Sequence, residues 1–176
     1  MQALQHVIQR DEGERVSLGG ADVIYKIDAV ATGGAFAICE TTAEPGRLIP
    51  PHLHETEDEF SYVIEGRIGV LIGDQEHIAE AGSWVIKPRG IPHTYWNPGP
   101  EPARLIEIIT PAGFEGFFRD LSRILGADGP PDVAEITSTA ARYHHHFHPE
   151  LERPLIEKHE LRLIGADTAD RRAVHD

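Results

Sequence analysis

Cysteine is almost missing from this chain, with Cys39 standing alone. A single thiol excludes an intramolecular disulfide and any paired-cysteine zinc site. Cations are also scarce: 16 Lys and Arg face 29 Asp and Glu, a formal net charge of −13. A field of that sign repels phosphate backbones and anionic membrane surfaces, which argues against nucleic-acid and membrane partners. No apolar run reaches the ~18–20 residues of a membrane span. The stretch Met1-Gln2-Ala3-Leu4-Gln5-His6 has neither the basic start nor the apolar segment of a secretory signal, so a soluble, cytoplasmic protein is expected. What remains is ordinary globular material, 40% hydrophobic and 26% charged over 176 residues, enough for one domain with a tail.

Residues 1 to about 112 read as β structure. Asp22 to Val30 is rich in β-branched and aromatic residues and runs into the turn signal Gly33-Gly34. Further strands are expected at 35–42, 59–65, 67–72, 83–86, 93–96 and 104–110. Short strands punctuated by Gly, Pro and Asn suggest an antiparallel sandwich or barrel. Composition then changes. Phe114, Phe117, Phe118, Leu121 and Leu125 form a helical stripe, and Asp132 is placed to cap a second helix through Val133, Ile136 and Ala140. The expected division is therefore a β-barrel with an N-terminal strand arm over 1–112 and a helical extension over 113–176. From Ala166 onward a polar, frayed end is expected.

The chemistry concentrates between Gly46 and Asn97. In a strand, His52 and His54 share one face about 6.5 Å apart, close enough for both imidazoles to reach one cation. The acidic turn Glu55-Thr56-Glu57-Asp58 can bring Glu59 back beside them. A third imidazole, His93, follows the rigid Pro88-Arg89-Gly90-Ile91-Pro92 segment. Three imidazoles and a carboxylate suit Fe, Ni, Mn, Cu or Zn, and suit calcium or magnesium poorly.

In this stretch the chain resembles the cupin superfamily. Gly46, His52, His54, Glu59 and Gly66 match every fixed position of its first motif, and Gly82, Pro88, Gly90, His93 and Asn97 match those of its second. The resemblance extends over about residues 20 to 112, with the motif core at 46–97. Its fifteen-residue gap between motifs is similar to that of compact, quercetin dioxygenase-like bacterial proteins with one barrel. It implies a mainly β fold, a double-stranded β-helix or jelly-roll barrel, with one divalent transition metal inside. By that resemblance the metal ligands are His52, His54, Glu59 and His93. With only one motif pair, a double barrel within this chain is excluded. The shorter spacing the family permits would admit Asp58 as the carboxylate, but only Glu59 is also six residues before Gly66.

Other residues have bland readings beside the functional ones. Tyr95 shares the face of His93, and Ser61 shares that of Glu59, which makes both candidates for substrate contact. Trp84, Trp96, Phe60 and Tyr62 read as packing, Arg67 and Arg104 as surface ion pairs, and His77 as a solvated hairpin residue. The run His144-His145-His146-Phe147-His148 reads as exposed and is left out of the site. Three functions follow as expectations. The first is a dioxygenase-like enzyme acting on a small enolic or phenolic substrate, with Glu59 as base. The second is a non-oxidative isomerase, decarboxylase or lyase. The third is a small-molecule-binding module without turnover. A homodimer formed through sheet edges and the 1–34 arm is expected, as is metal binding that weakens below about pH 6 as the imidazoles protonate.

Overall fold

The computed structural model describes residues 6–128 and 130–166. The strands before the second histidine motif are β1 Arg15–Ser17, β2 Ala21–Ile27, β3 Ala37–Ala43, β4 Arg47–Leu48, β5 His52–His54, β6 Asp58–Glu65, β7 Arg67–Ile72, β8 Gln75–Glu80 and β9 Trp84–Lys87. A short helix, α1 Ala29–Thr32, lies between β2 and β3. There follow β10 His93–Trp96, β11 Ala103–Thr110, α2 Gly116–Gly126, α3 Val133–Arg142, β12 His145–Phe147, α4 Glu152–His159 and β13 Arg162–Leu163.

Two sheets enclose the interior. One has the order β1-β2-β3-β11-β6-β9, and the other β12-β5-β10-β4-β13, with β7 joining β10 and β8 joining β7. Alternation assigns the faces: along β6, Glu59, Ser61 and Val63 are buried while Phe60, Tyr62 and Ile64 are only half-buried. Along β11 the inward set is Ala103, Leu105, Glu107 and Ile109. The closed end of the barrel is apolar, packed with Val63, Ile68, Val70, Ala103 and Leu105. On β7, Gly69 leaves room for the Trp96 ring of the neighbouring strand, since a Cβ there would lie 2.1 Å from it. Asn97 pins the turn after β10 through amide bonds to the carbonyls of Ala43 at 2.9 Å and Glu101 at 2.8 Å.

Three local differences from the sequence reading have physical causes. The strand expected to reach Val30 ends at Ile27, because the Asp28 side chain accepts from Ala31 N and caps α1. A further strand, β8, was hidden by its exposed, polar composition as half of a hairpin. The N-terminal residues 15–27 are not a free arm but pair within their own sheet, β1 to β2 and β2 to β3.

The segment after residue 112 is helical as expected but also returns to the barrel. α2 starts at Gly116, and α3 is capped by Asp132, whose Oδ1 accepts from Ala134 N at 2.8 Å. Between α3 and α4, β12 pairs antiparallel with β5, and after α4, β13 lies parallel to β4. Phe114, Phe117, Leu121 and Leu125 pack with Leu18, Val23 and Tyr25, so the helices close over the open end of the barrel. α4 packs outside, where Leu155 and Leu161 meet Leu48 and Trp96. The frayed end expected beyond Ala166 lies outside the described residues. Among the described residues no helix is long and apolar enough to cross a membrane.

Candidate metal centre

Strand pairing brings the four predicted ligands together. β5 supplies His52 and His54, β6 supplies Glu59, and β10 supplies His93, which lies opposite His52 across the sheet. One donor atom from each residue lies within 4.8 Å of the others, and all four residues are buried. Imidazole orientation is fixed from behind: the Nδ1–H of His52 donates to Pro50 O at 2.7 Å, and that of His93 donates to Ile91 O at 2.9 Å. A carbonyl can only accept, so each ring keeps its Nε2 lone pair free.

Two imidazole nitrogens, of His54 and His93, face one carboxylate oxygen. Glu59 Oε2 lies 3.7 Å from His54 Nε2 and 3.5 Å from His93 Nε2. Neither nitrogen has a hydrogen-bond partner among the described residues. Buried, unpartnered imidazole nitrogens facing a carboxylate oxygen are costly without a cation and are the donor set of a transition-metal site. The residues present therefore fit a bound metal. Asp58, the alternative carboxylate, faces outward and is bound to Arg89 at 2.8 Å, so alternation removes it from the cluster. Burial drives the His52 and His93 imidazoles below their ordinary pKa, favouring the neutral form that binds metal.

Two charged residues that sequence reasoning missed adjoin the cluster. Lys87 Nζ sits 2.9 Å from Glu59 Oε2 and 2.9 Å from Glu107 Oε2, all three side chains being buried. Ser61 Oγ donates to the same Glu107 oxygen at 2.8 Å. Burial alone would raise the Glu59 carboxyl, but Lys87 and His54 outweigh it and hold the group well below the usual carboxylate range. Glu107 goes the other way: burial, with the like charge of Glu59, exceeds the pull of Lys87 and raises it. Burial opposes the Lys87 charge as well, yet the two carboxylates overcome it and keep the ammonium protonated. Two acids sharing one cation are thereby pushed apart, one fixed as an anion and one drawn toward holding a proton.

Above these groups lies a cavity of about 130 Å³. Its polar floor is His52, Glu59, Lys87, Tyr95 and Glu107, and its walls are Phe114, Phe117, Phe118, Leu121 and Leu125 from the helical cap. Tyr95 thus faces the cavity as predicted, with Lys87 Nζ 5.6 Å from its ring centroid. Ser61 is buried at the base and engages Glu107. Of the other residues weighed, Arg104 forms a half-buried pair with Glu40 at 2.7 Å, His77 and Trp84 are exposed, and Trp96 is core.

The histidine run does not stay outside as a unit. β12 alternates, leaving His146 exposed beside Glu55 at 2.8 Å while His145 turns inward and is only 4% exposed. The His145 ring stacks on His52 with centroids 4.5 Å apart. The correction follows from strand pairing: His145 lies opposite His54 across the β12–β5 ladder, so both project to the same side. A strand-period reading of His145 and Phe147 would have found it.

Residues 39–109 match the Cupin domain family model. Over 92 residues the chain is 24% identical to quercetin 2,3-dioxygenase of Bacillus subtilis, a match spanning 52% of this chain and 27% of that relative. Among solved structures, KdgF from Halomonas sp. superposes with a TM-score of 0.56 at 17% identity, over 62% of this chain and 97% of that one. The polyketide cyclase RemF from Streptomyces resistomycificus gives 0.53 at 24% identity, over 60% and 79%. At these identities the superpositions establish the fold. With both motifs folded into one barrel and their histidines gathered around Glu59, residues 39–109 form a cupin-type domain.

Proposed function

We propose that this cupin is a metal-dependent enzyme of dioxygenase type, acting on a small enolic or phenolic substrate. One divalent transition metal (Fe, Ni, Mn, Cu or Zn) would be held by His52, His54, Glu59 and His93. The observation that carries this reading is the aromatic-walled cavity whose floor is the ligand cluster, a shape and chemistry matched to a flat ring bearing an oxygen. The relative's name, quercetin 2,3-dioxygenase, supports the same substrate class. When bound, the metal would supply Lewis-acid polarisation of a substrate oxygen and ease its deprotonation.

The protein's own groups have separable tasks. The walls exclude water, which strengthens every charge interaction on the floor. Glu59, sequence-predicted as both ligand and base, is anchored as an anion by Lys87, so any proton transfer by Glu59 must break that ion pair. Glu107 Oε1 has no hydrogen-bond partner among the described residues, and the raised carboxyl makes Glu107 the better proton acceptor. Tyr95 and the Lys87 ammonium face the position of a substrate oxygen from the same floor. The test is aerobic turnover of flavonols and enolic diketones by metal-loaded protein, with oxygen uptake recorded. Glu59→Gln should keep much of the metal and lose turnover, and unchanged uptake in that variant would remove Glu59 from the chemistry.

A second reading, non-oxidative proton-transfer chemistry, is supported by the Lys87–Glu107 pair, which sets a buried proton donor beside a proton acceptor on the cavity floor. The likeness to a polyketide cyclase supports it. Activity that survives strict anaerobiosis separates the two. The homodimer is proposed through the outer sheet face, where Trp84 is 60% and Ile86 62% exposed on edge strand β9 beside Tyr62. Sedimentation of Trp84→Arg should show a monomer if that face pairs.

A further inference from the structure

His145 is an anomaly that metal ligation by the four motif residues leaves unexplained. Its ring is 4% exposed, yet neither Nδ1 nor Nε2 has a hydrogen-bond partner among the described residues. Its nitrogens are not part of the four-donor cluster. The ring is sandwiched in aromatic material, 5.2 Å from the Phe114 centroid and 4.9 Å from that of Phe117, and it lines the cavity above the metal ligands. A phenylalanine would satisfy that packing without burying two polar atoms, and a buried polar group normally finds a partner.

We propose that His145 is a substrate-binding residue, which grips a hydroxyl or carbonyl oxygen of the aromatic ligand from the side facing the helical cap. A neutral imidazole carries one N–H donor and one acceptor nitrogen, so it can take a hydroxyl in either sense. The placement is a consequence of the fold. β12 enters beside β5 only because α2 and α3 carry the chain over the barrel mouth and return it, so the C-terminal segment contributes both a wall and a polar contact. The specificity that results is for ring-bearing ligands with an oxygen on the side of the helical cap, apart from any that a bound metal would polarise. This inference rests on the aromatic-substrate reading given above.

Calorimetric titration of the zinc-loaded full chain with 2-naphthol and with naphthalene separates the two ideas. Wild type should prefer 2-naphthol, and His145→Phe should reduce that preference by about tenfold, the worth of one hydrogen bond to a buried group. His145→Gln, which keeps a donor and an acceptor, should retain most of the preference, and zinc stoichiometry should be unchanged in both variants. A preference equal to wild type in His145→Phe would overturn the His145 assignment alone, as would loss of zinc from that variant. Binding of neither probe by wild type would overturn the aromatic-site reading and this inference together. Should the Phe variant fail to fold, nitrogen-15 shifts of histidine-labelled wild type decide. The His145 resonances should move with 2-naphthol and not with naphthalene, and equal movement with both would refute the contact.

Discussion

Along β11, Glu107 and Leu105 project into the same interior two residues apart, and along β6 Ser61 and Val63 do likewise. One step down the strand separates a charged floor from a sealed apolar plug. The plug of Val63, Ile68, Ala103 and Leu105 has side chains of 0% exposure and stabilises the barrel through burial. The floor, Glu59, Lys87 and Glu107, is as buried and gains little or nothing from it, since desolvating an ion pair costs about what the pairing returns. Identical strand geometry thus serves stability at one end and chemistry at the other. The difference is carried by side-chain type alone.

The largest expected contrast is between His93→Ala and Leu105→Ala. The first should abolish metal binding. Its cost to the metal-free protein should be the smaller of the two, since the lost Nδ1 bond to Ile91 O and the cavity are partly offset by removal of the unpartnered Nε2. The second should cost about 2–5 kcal/mol in urea unfolding and leave metal stoichiometry intact. If both variants lose stability and metal together, the two ends are not separable. Lys87→Met should come next. It strands two buried carboxylates, and a loss of about 3–5 kcal/mol is expected for the metal-free protein. Added metal should recover part of that loss by neutralising Glu59, and a thermal shift no larger than wild type's would argue against Glu59 as a ligand.

A pH series sharpens the same comparison. His52, His93 and His145 have imidazoles lowered by burial, so the unfolded chain takes up protons near pH 6.5 that the folded chain refuses. Stability of the metal-free protein is therefore fully present above that pH. It should fall below it by up to about 1.4 kcal/mol per pH unit for each histidine. The Leu105→Ala variant should show the same slope from a lower start, whereas flat stability from pH 7.5 to 5.5 would mean the imidazoles titrate alike in the folded and unfolded chains. For the same reason, loss of metal affinity should set in lower than the pH 6 that ordinary imidazoles imply. The smallest effect is expected at Arg104→Ala, which breaks a half-buried pair with Glu40 and a more exposed one with Glu65 and should cost about 1 kcal/mol with no change in metal binding.

How much of this was legible in the sequence depends on the range of the signal. His52, His54, Glu59 and His93 sit in two compact motifs whose spacing is fixed by short turns, so their convergence could be read without coordinates. The six-residue spacing to Gly66 also distinguished Glu59 from Asp58. Lys87 and Glu107 were invisible for a different reason. Each looks like a routine strand charge, and only cross-strand register sets Lys87 opposite Glu59 and Glu107 opposite Ser61. His145 was concealed by its neighbours, three outward histidines that made the run look solvated. The helical stripe from Phe114 to Leu125 was plain, but that it roofs the cavity depends on a return of the chain through β12 that periodicity does not encode.

The central claim is that the barrel's polar floor holds a transition metal. Element-resolved mass spectrometry of untagged protein, purified without chelators beside a His52→Ala/His93→Ala double variant, tests it directly. The account predicts near-stoichiometric divalent transition metal in wild type and its loss in the double variant. Metal-free wild type, or metal retained by the variant, would contradict it.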